Sequence, residues 1–134
     1  MEKRDLILDQ IEKLGFFLQK LLGDLLNKNS LTSSIDKFEN VRKELLDELN
    51  FDLDFLISQK NEDMKKYVSS FNFNEKNLES LSEILIQLNH SKEFYEKAMA
   101  LLDLADEISN TFSFDRNKKK QEIEKLILKL EDRH

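Results

Sequence analysis

The sequence predicts an all-α protein, an irregular array or bundle of about six or seven helices, on three observations. Apolar residues recur at three- and four-residue spacing through nearly all of the 134 residues, which is the repeat of one helix face. There is no Pro and there are only two Gly, so long helices can run without the residues that break them most strongly. The gaps between apolar stripes carry Asn, Ser and Asp, whose short polar side chains start and stop helices by bonding to the local backbone.

From about Asp5 to Asn27, Ile7, Ile11, Leu14, Leu18, Leu21 and Leu25 form one regular stripe, widened by Leu8, Phe17 and Leu22. Gly15 lies one heptad from both Leu8 and Leu22, where a neighbouring backbone can approach closely. Ser33 with Asp36 three residues later resembles a capping box for a second helix over about Ser34 to Leu49, with Phe38, Val41, Leu45 and Leu49 inward. Glu39 and Lys43 are spaced to pair on its outer side. A short helix capped by Asn50 or Asp52 follows, and another begins at Asn61, burying Met64, Tyr67, Val68 and Phe71.

Asn74 reads as an N-cap because Phe73 and Leu78 flank it as the halves of a hydrophobic staple. The fifth helix then runs to Asn89 with Leu78, Leu81, Ile84, Leu85 and Leu88 buried. After a turn through His90 and Ser91, the sixth spans about Lys92 to Thr111 and buries Phe94, Tyr95, Ala98, Leu101, Leu102, Ala105 and Ile108. Asp115 is expected to cap the last helix, whose inner face is Ile123, Leu126, Ile127 and Leu130. Phe71-Asn72-Phe73-Asn74 and Phe112-Ser113-Phe114-Asp115 look alike and are expected to plug two corners of the core.

Length bounds the chain to a single helical domain over 1–134 with one continuous core. A net charge of −6 argues against a generic nucleic-acid or anionic-membrane surface, since both are repelled by an acidic field. No stretch is apolar enough for a membrane span or a signal-peptide core, and a cytoplasmic location is expected.

The catalytic vocabulary is thin. There is no Cys, and His90 and His134 stand apart from each other and from any ligand spacing, so no metal or other cofactor is expected. No Ser has a neighbouring His or a glycine elbow to activate it. Asp103, Asp106 and Glu107 on the sixth helix, and the cluster Lys118-Lys119-Lys120 with Arg116, both read as solvated faces. The chain is expected not to be an enzyme.

Tyr95, Ala98, Leu102 and Ala105 follow the second-helix pattern of a tetratricopeptide unit, and Leu81, Ile84, Leu85 and Leu88 suit its first helix. The stretch Leu78 to Ile108 therefore resembles a degenerate tetratricopeptide hairpin, although the usual Trp, Gly and terminal Pro are absent. Together with Arg4 to Gly15 and the run Glu44-Leu45-Leu46 into Phe51 to Leu56, the chain is similar to an uncharacterised bacterial family of small tetratricopeptide-like helical proteins. The resemblance implies a non-catalytic protein-protein interaction module. In its register Glu79, Ser82, Ile86 and Asn89 would line the partner-binding face, Ile86 lying off the main stripe and needing a cover. The alternative is a small-molecule or lipid-binding domain whose pocket is walled by Phe51, Phe55, Phe71 and Phe73. The width of the first apolar stripe adds the expectation of a homodimer, with contact around Leu8, Gly15, Phe16 and Leu22.

Overall fold

The computed structural model describes residues 2–27 and 34–132, with the side chains described over 9–27 and 35–132. Among the described residues the chain forms seven α-helices: α1 (Glu2–Asn27), α2 (Ser34–Leu49), α3 (Leu53–Ser58), α4 (Asn61–Ser69), α5 (Glu75–Leu88), α6 (Lys92–Ser109) and α7 (Phe114–Asp132). They pack as an irregular bundle around the antiparallel α5–α6 hairpin. α1 lies along α5, α4 and α7 lie on α6, and α2 and α3 close the remaining side.

The punctuation is done by Asn, Asp and Ser. Asn50, Asn72 and Asn110 take left-handed φ of 56°, 59° and 54°, and no Gly does; Asn tolerates this region because its short amide bonds locally. Asn50 ends α2: its N–H reaches the Leu46 carbonyl at 2.9 Å, and the Phe51 N–H reaches that of Leu45 at 3.2 Å, a doubly bonded helix end that throws the next apolar side chain back onto the helix. Asp52 caps α3 by accepting from the Phe55 N–H, Asn74 caps α5 by accepting from Asn77, and Ser91 caps α6 by accepting from Phe94. α7 is capped by Ser113, whose Oγ accepts from the Arg116 N–H at 3.2 Å, and not by Asp115, which lies in the first turn. Ser33 of the expected capping box falls outside the described residues.

The hairpin supplies the core. Leu78, Leu81, Ile84, Leu85 and Leu88 on α5 and Phe94, Tyr95, Ala98, Leu101, Leu102 and Ala105 on α6 are all buried as the periodicity predicts. Leu14, Leu18, Leu21 and Leu25 close it from α1, Val41 and Leu45 from α2, and Ile123 from α7. Two further expectations fail. Ile108 is half exposed because α6, with 18 residues, outruns the 14 of α5 and its last turn overhangs the hairpin. Glu39 pairs with Arg42, at 2.8 Å, in place of Lys43, the guanidinium offering a two-pronged grip.

Candidate functional site

Where α2, α3, α4 and α5 meet, five rings gather. Phe51 is fully buried at the centre, with ring centroids 4.9 Å from Phe71, 5.4 Å from Tyr67 and 5.6 Å from Phe73. Phe55 joins from the rim by an edge contact with Tyr67 at 4.8 Å. The Tyr67 hydroxyl accepts from the Asp52 N–H at 2.8 Å, so the one polar atom among these rings fixes the start of α3. The rings fill one another's space, and the fully buried Phe51 therefore does not line an open pocket.

The other side of the cluster does. Phe71 and Phe73, with Leu14 and Phe17 of α1 and Leu49 of α2, wall a cleft of about 410 Å³, and Gln10, Lys13 and Glu48 stand with them around it. Its volume is in the range of small-ligand sites, and its walls are mostly apolar with a few polar groups among them.

A second groove runs between α1 and the start of α5, about 460 Å³, between Ile11, Gly15, Phe16 and Gln19 on one side and Asn74, Lys76, Asn77 and Ser80 on the other. It contains part of the expected dimer contact: Phe16 is 75% exposed at its lip, and Gly15 admits the Asn77 amide so closely that a Cβ there would lie 3.2 Å from Oδ1. Leu22 is half buried against the core, and the Leu8 side chain lies outside those described.

The expected partner-binding face is taken up inside the fold. Ser82 is buried and donates from Oγ to the Ala98 carbonyl at 3.0 Å, tying α5 to α6. Ile86 is 4% exposed and belongs to the core. Glu79 holds Arg116, and only Asn89, at the end of α5, is exposed.

Of the basic cluster near the start of α7, Lys118 is solvated as expected, whereas Arg116, Lys119 and Lys120 are engaged with acidic side chains. The Arg116 side chain is buried and reaches Asp106 at 2.6 Å, Glu75 and Glu79 at 3.2 Å each, and the Ser109 hydroxyl at 2.9 Å. Lys119 pairs with Glu83 at 2.7 Å, and Lys120 with Asp103 at 2.7 Å and with Asp106. Burial pushes the Asp106 carboxyl up, but hydrogen bonds from Lys120 and Arg116 outweigh it and hold the group below its ordinary value. Burial pulls Arg116 and Lys120 down, and their carboxylate partners carry both above the ordinary value. The signal lay in the sequence: Glu75, Glu79 and Glu83 repeat every four residues, as do Arg116 and Lys120. Only the packing of α7 across α5 and α6 matches them.

Lys97 is buried as well, donating to the Gln59 carbonyl and to Asn61 Oδ1 and so joining the α3–α4 link to α6. His90 sits in the α5–α6 turn, Nδ1 2.8 Å from the Tyr95 hydroxyl. Among the described residues no group of three or more His, Cys, Asp or Glu stands where it could hold a metal ion, and no helix is long and apolar enough to cross a membrane. Comparison with protein-family models, with curated proteins and with solved structures finds no match.

Proposed function

We propose that the protein is a non-catalytic binding domain whose guest is a small apolar molecule held in the cleft between α1, the end of α2 and the Phe71–Phe73 corner. The carrying observation is that Phe71 and the buried Phe73, members of an otherwise self-packed aromatic cluster, border a cleft that Leu14, Phe17 and Leu49 also line. A guest there removes apolar surface from water on both sides, worth about 25 cal/mol per Å² before the losses of association. Titration with a neutral probe, decanol, tests the reading by amide and aromatic NMR. Shifts concentrated on Phe17, Leu49, Phe71 and Phe73, with a rise in melting temperature as the probe binds the folded state, are expected. No shift at those positions up to the solubility of the probe would end it.

A second reading, binding of a protein or of another copy, is favoured by Phe16, the most exposed aromatic of α1. A homodimer through this face should give twice the chain mass by light scattering coupled to size exclusion, and Phe16→Glu should return it to the single-chain mass. A clean single-chain mass at high protein concentration excludes it. The cytoplasmic location belongs to the same proposal and is checked by fractionating the host cell.

A further inference from the structure

The groove between α1 and α5 contains an unmet demand. Asn77 is 3% exposed, and its Nδ2 has no hydrogen-bond partner; a buried donor left so is a standing penalty on the fold. Its neighbours are otherwise engaged: Gln19 donates to the Ser80 hydroxyl at 2.7 Å, and Asn74 accepts from the Asn77 N–H at 2.8 Å and, through its carbonyl, from Leu78 at 3.0 Å. Helix geometry leaves the Glu75 and Lys76 N–H groups without partners inside α5, at the positive end of its dipole. Lys76 lines the same groove, and Ile11, Gly15 and Phe16 supply its apolar lining.

We infer that this groove binds an amphipathic carboxylate, its head at the start of α5 against Lys76 and the Asn77 amide and its apolar body along Gly15 and Phe16. The Asn77 amide oxygen lies against Gly15, which lines the groove with it, and a half-turn about the Cβ–Cγ bond exchanges Oδ1 and Nδ2 and sets the donor beside Gly15. Glu12 on the α1 wall opposes the charge of the guest. This site is separate from the Phe71–Phe73 cleft and does not depend on it.

Decanoate and its methyl ester are the probes, followed by NMR on the whole chain. Decanoate should shift Gly15, Phe16 and Asn77, and the ester should bind about tenfold more weakly, the factor expected when one charge-assisted hydrogen bond is lost. Asn77→Asp, nearly isosteric but without the donor, and Lys76→Gln, at an exposed position, should each weaken decanoate by a similar factor and leave the ester unchanged. Glu12→Gln should tighten decanoate. Equal binding of acid and ester, shifts confined to Phe71 and Phe73, or no shift in the groove would each overturn the inference. So would a Lys76→Gln protein that binds decanoate as the unaltered chain does.

Discussion

Two corners of the molecule carry nearly the same four residues and meet opposite fates. In Phe71-Asn72-Phe73-Asn74 the rings turn inward, Phe73 buried and Phe71 packed on Phe51 and Tyr67. In Phe112-Ser113-Phe114-Asp115 they stand 68% and 82% exposed, touching chiefly each other, edge to face at 4.9 Å. The expectation that both plug the core is therefore right for the first and wrong for the second. Local chemistry is alike at the two places: a left-handed Asn, Asn110 as the C-cap of α6 or Asn72 in the turn just past the end of α4, redirects the chain, and a polar side chain, Asn74 or Ser113, caps the next helix. What differs is the surroundings. The first corner shares its surroundings with Leu14 and Phe17 of α1, Leu49 of α2 and Phe51, whereas the second follows the last turn of α6, where Ile108 is half exposed as well.

The largest expected effect follows from that contrast. Phe73→Ala or Phe51→Ala should each destabilise the fold by about 3 to 5 kcal/mol, since each opens a cavity among close-packed rings. Phe114→Ala should stay within about 0.5 kcal/mol, as surface changes do. Urea unfolding of the three variants measures the difference directly. Equal losses at both corners would mean that the second is covered in solution, by a partner or another copy.

The two corners also differ in what fastens the helix after them. Apolar burial seats α5, whereas α7 contributes only Ile123 and Arg116 to the fully buried set and is held chiefly by charge. Arg116→Met should weaken the fold by about 1 to 3 kcal/mol, the range for hydrogen bonds to charged groups. The lower part of that range is expected, because water reaches the carboxylates and screens them. Amide exchange should accelerate through α7 and leave α5 protected; uniform acceleration would show that α7 is fastened as firmly as the hairpin.

Acid probes the same seam. Asp106 has a folded value below its ordinary 3.8, so its contribution is complete above that pH and is lost as pH falls toward the folded value. α7 should therefore loosen below about pH 4 before the Phe51 cluster does, read as exchange or fluorine-label signals from the two ends. Simultaneous loss would count against a separately fastened α7.

Much of this was legible in the sequence because helix faces and helix ends are local. Asn74 caps α5 as expected, Asp52 proves to be the cap of α3 from the two residues offered, and the buried stripes of α5 and α6 up to Ala105 stand as the spacing requires. The candidate site was legible only in part. Phe71 and Phe73 do wall an open cleft, but Phe51 and Phe55 are occupied by other rings. Ser82 and Ile86 read as a partner-binding face, with Ile86 in need of a cover that the fold itself supplies, because periodicity shows where a side chain points along its own helix and not what lies across from it. Arg116, Lys119 and Lys120 were invisible as a seam for the same reason, their partners being 36 to 41 residues away on α5 as well as nearer on α6.

The smallest effect concerns what the corners share. Asn72 and Asn110 both hold φ near 55 to 60°, where a Cβ meets the following carbonyl and Ala is less favourable by about 1 kcal/mol. Asn offsets this in part by bonding locally, and Gly avoids the clash while giving up more chain entropy on folding. Asn72→Ala and Asn110→Ala should thus each lower stability by about 1 kcal/mol, with the Gly variants within about 0.5 kcal/mol of the parent. The two positions should respond alike, because backbone strain is felt at the residue itself whether the neighbouring rings are buried or bare. If Asn72→Ala were several times more damaging than Asn110→Ala, the left-handed turn would be transmitting its displacement into the Phe71 and Phe73 packing. The corners would then differ in how tightly backbone and rings are coupled as well as in what covers them.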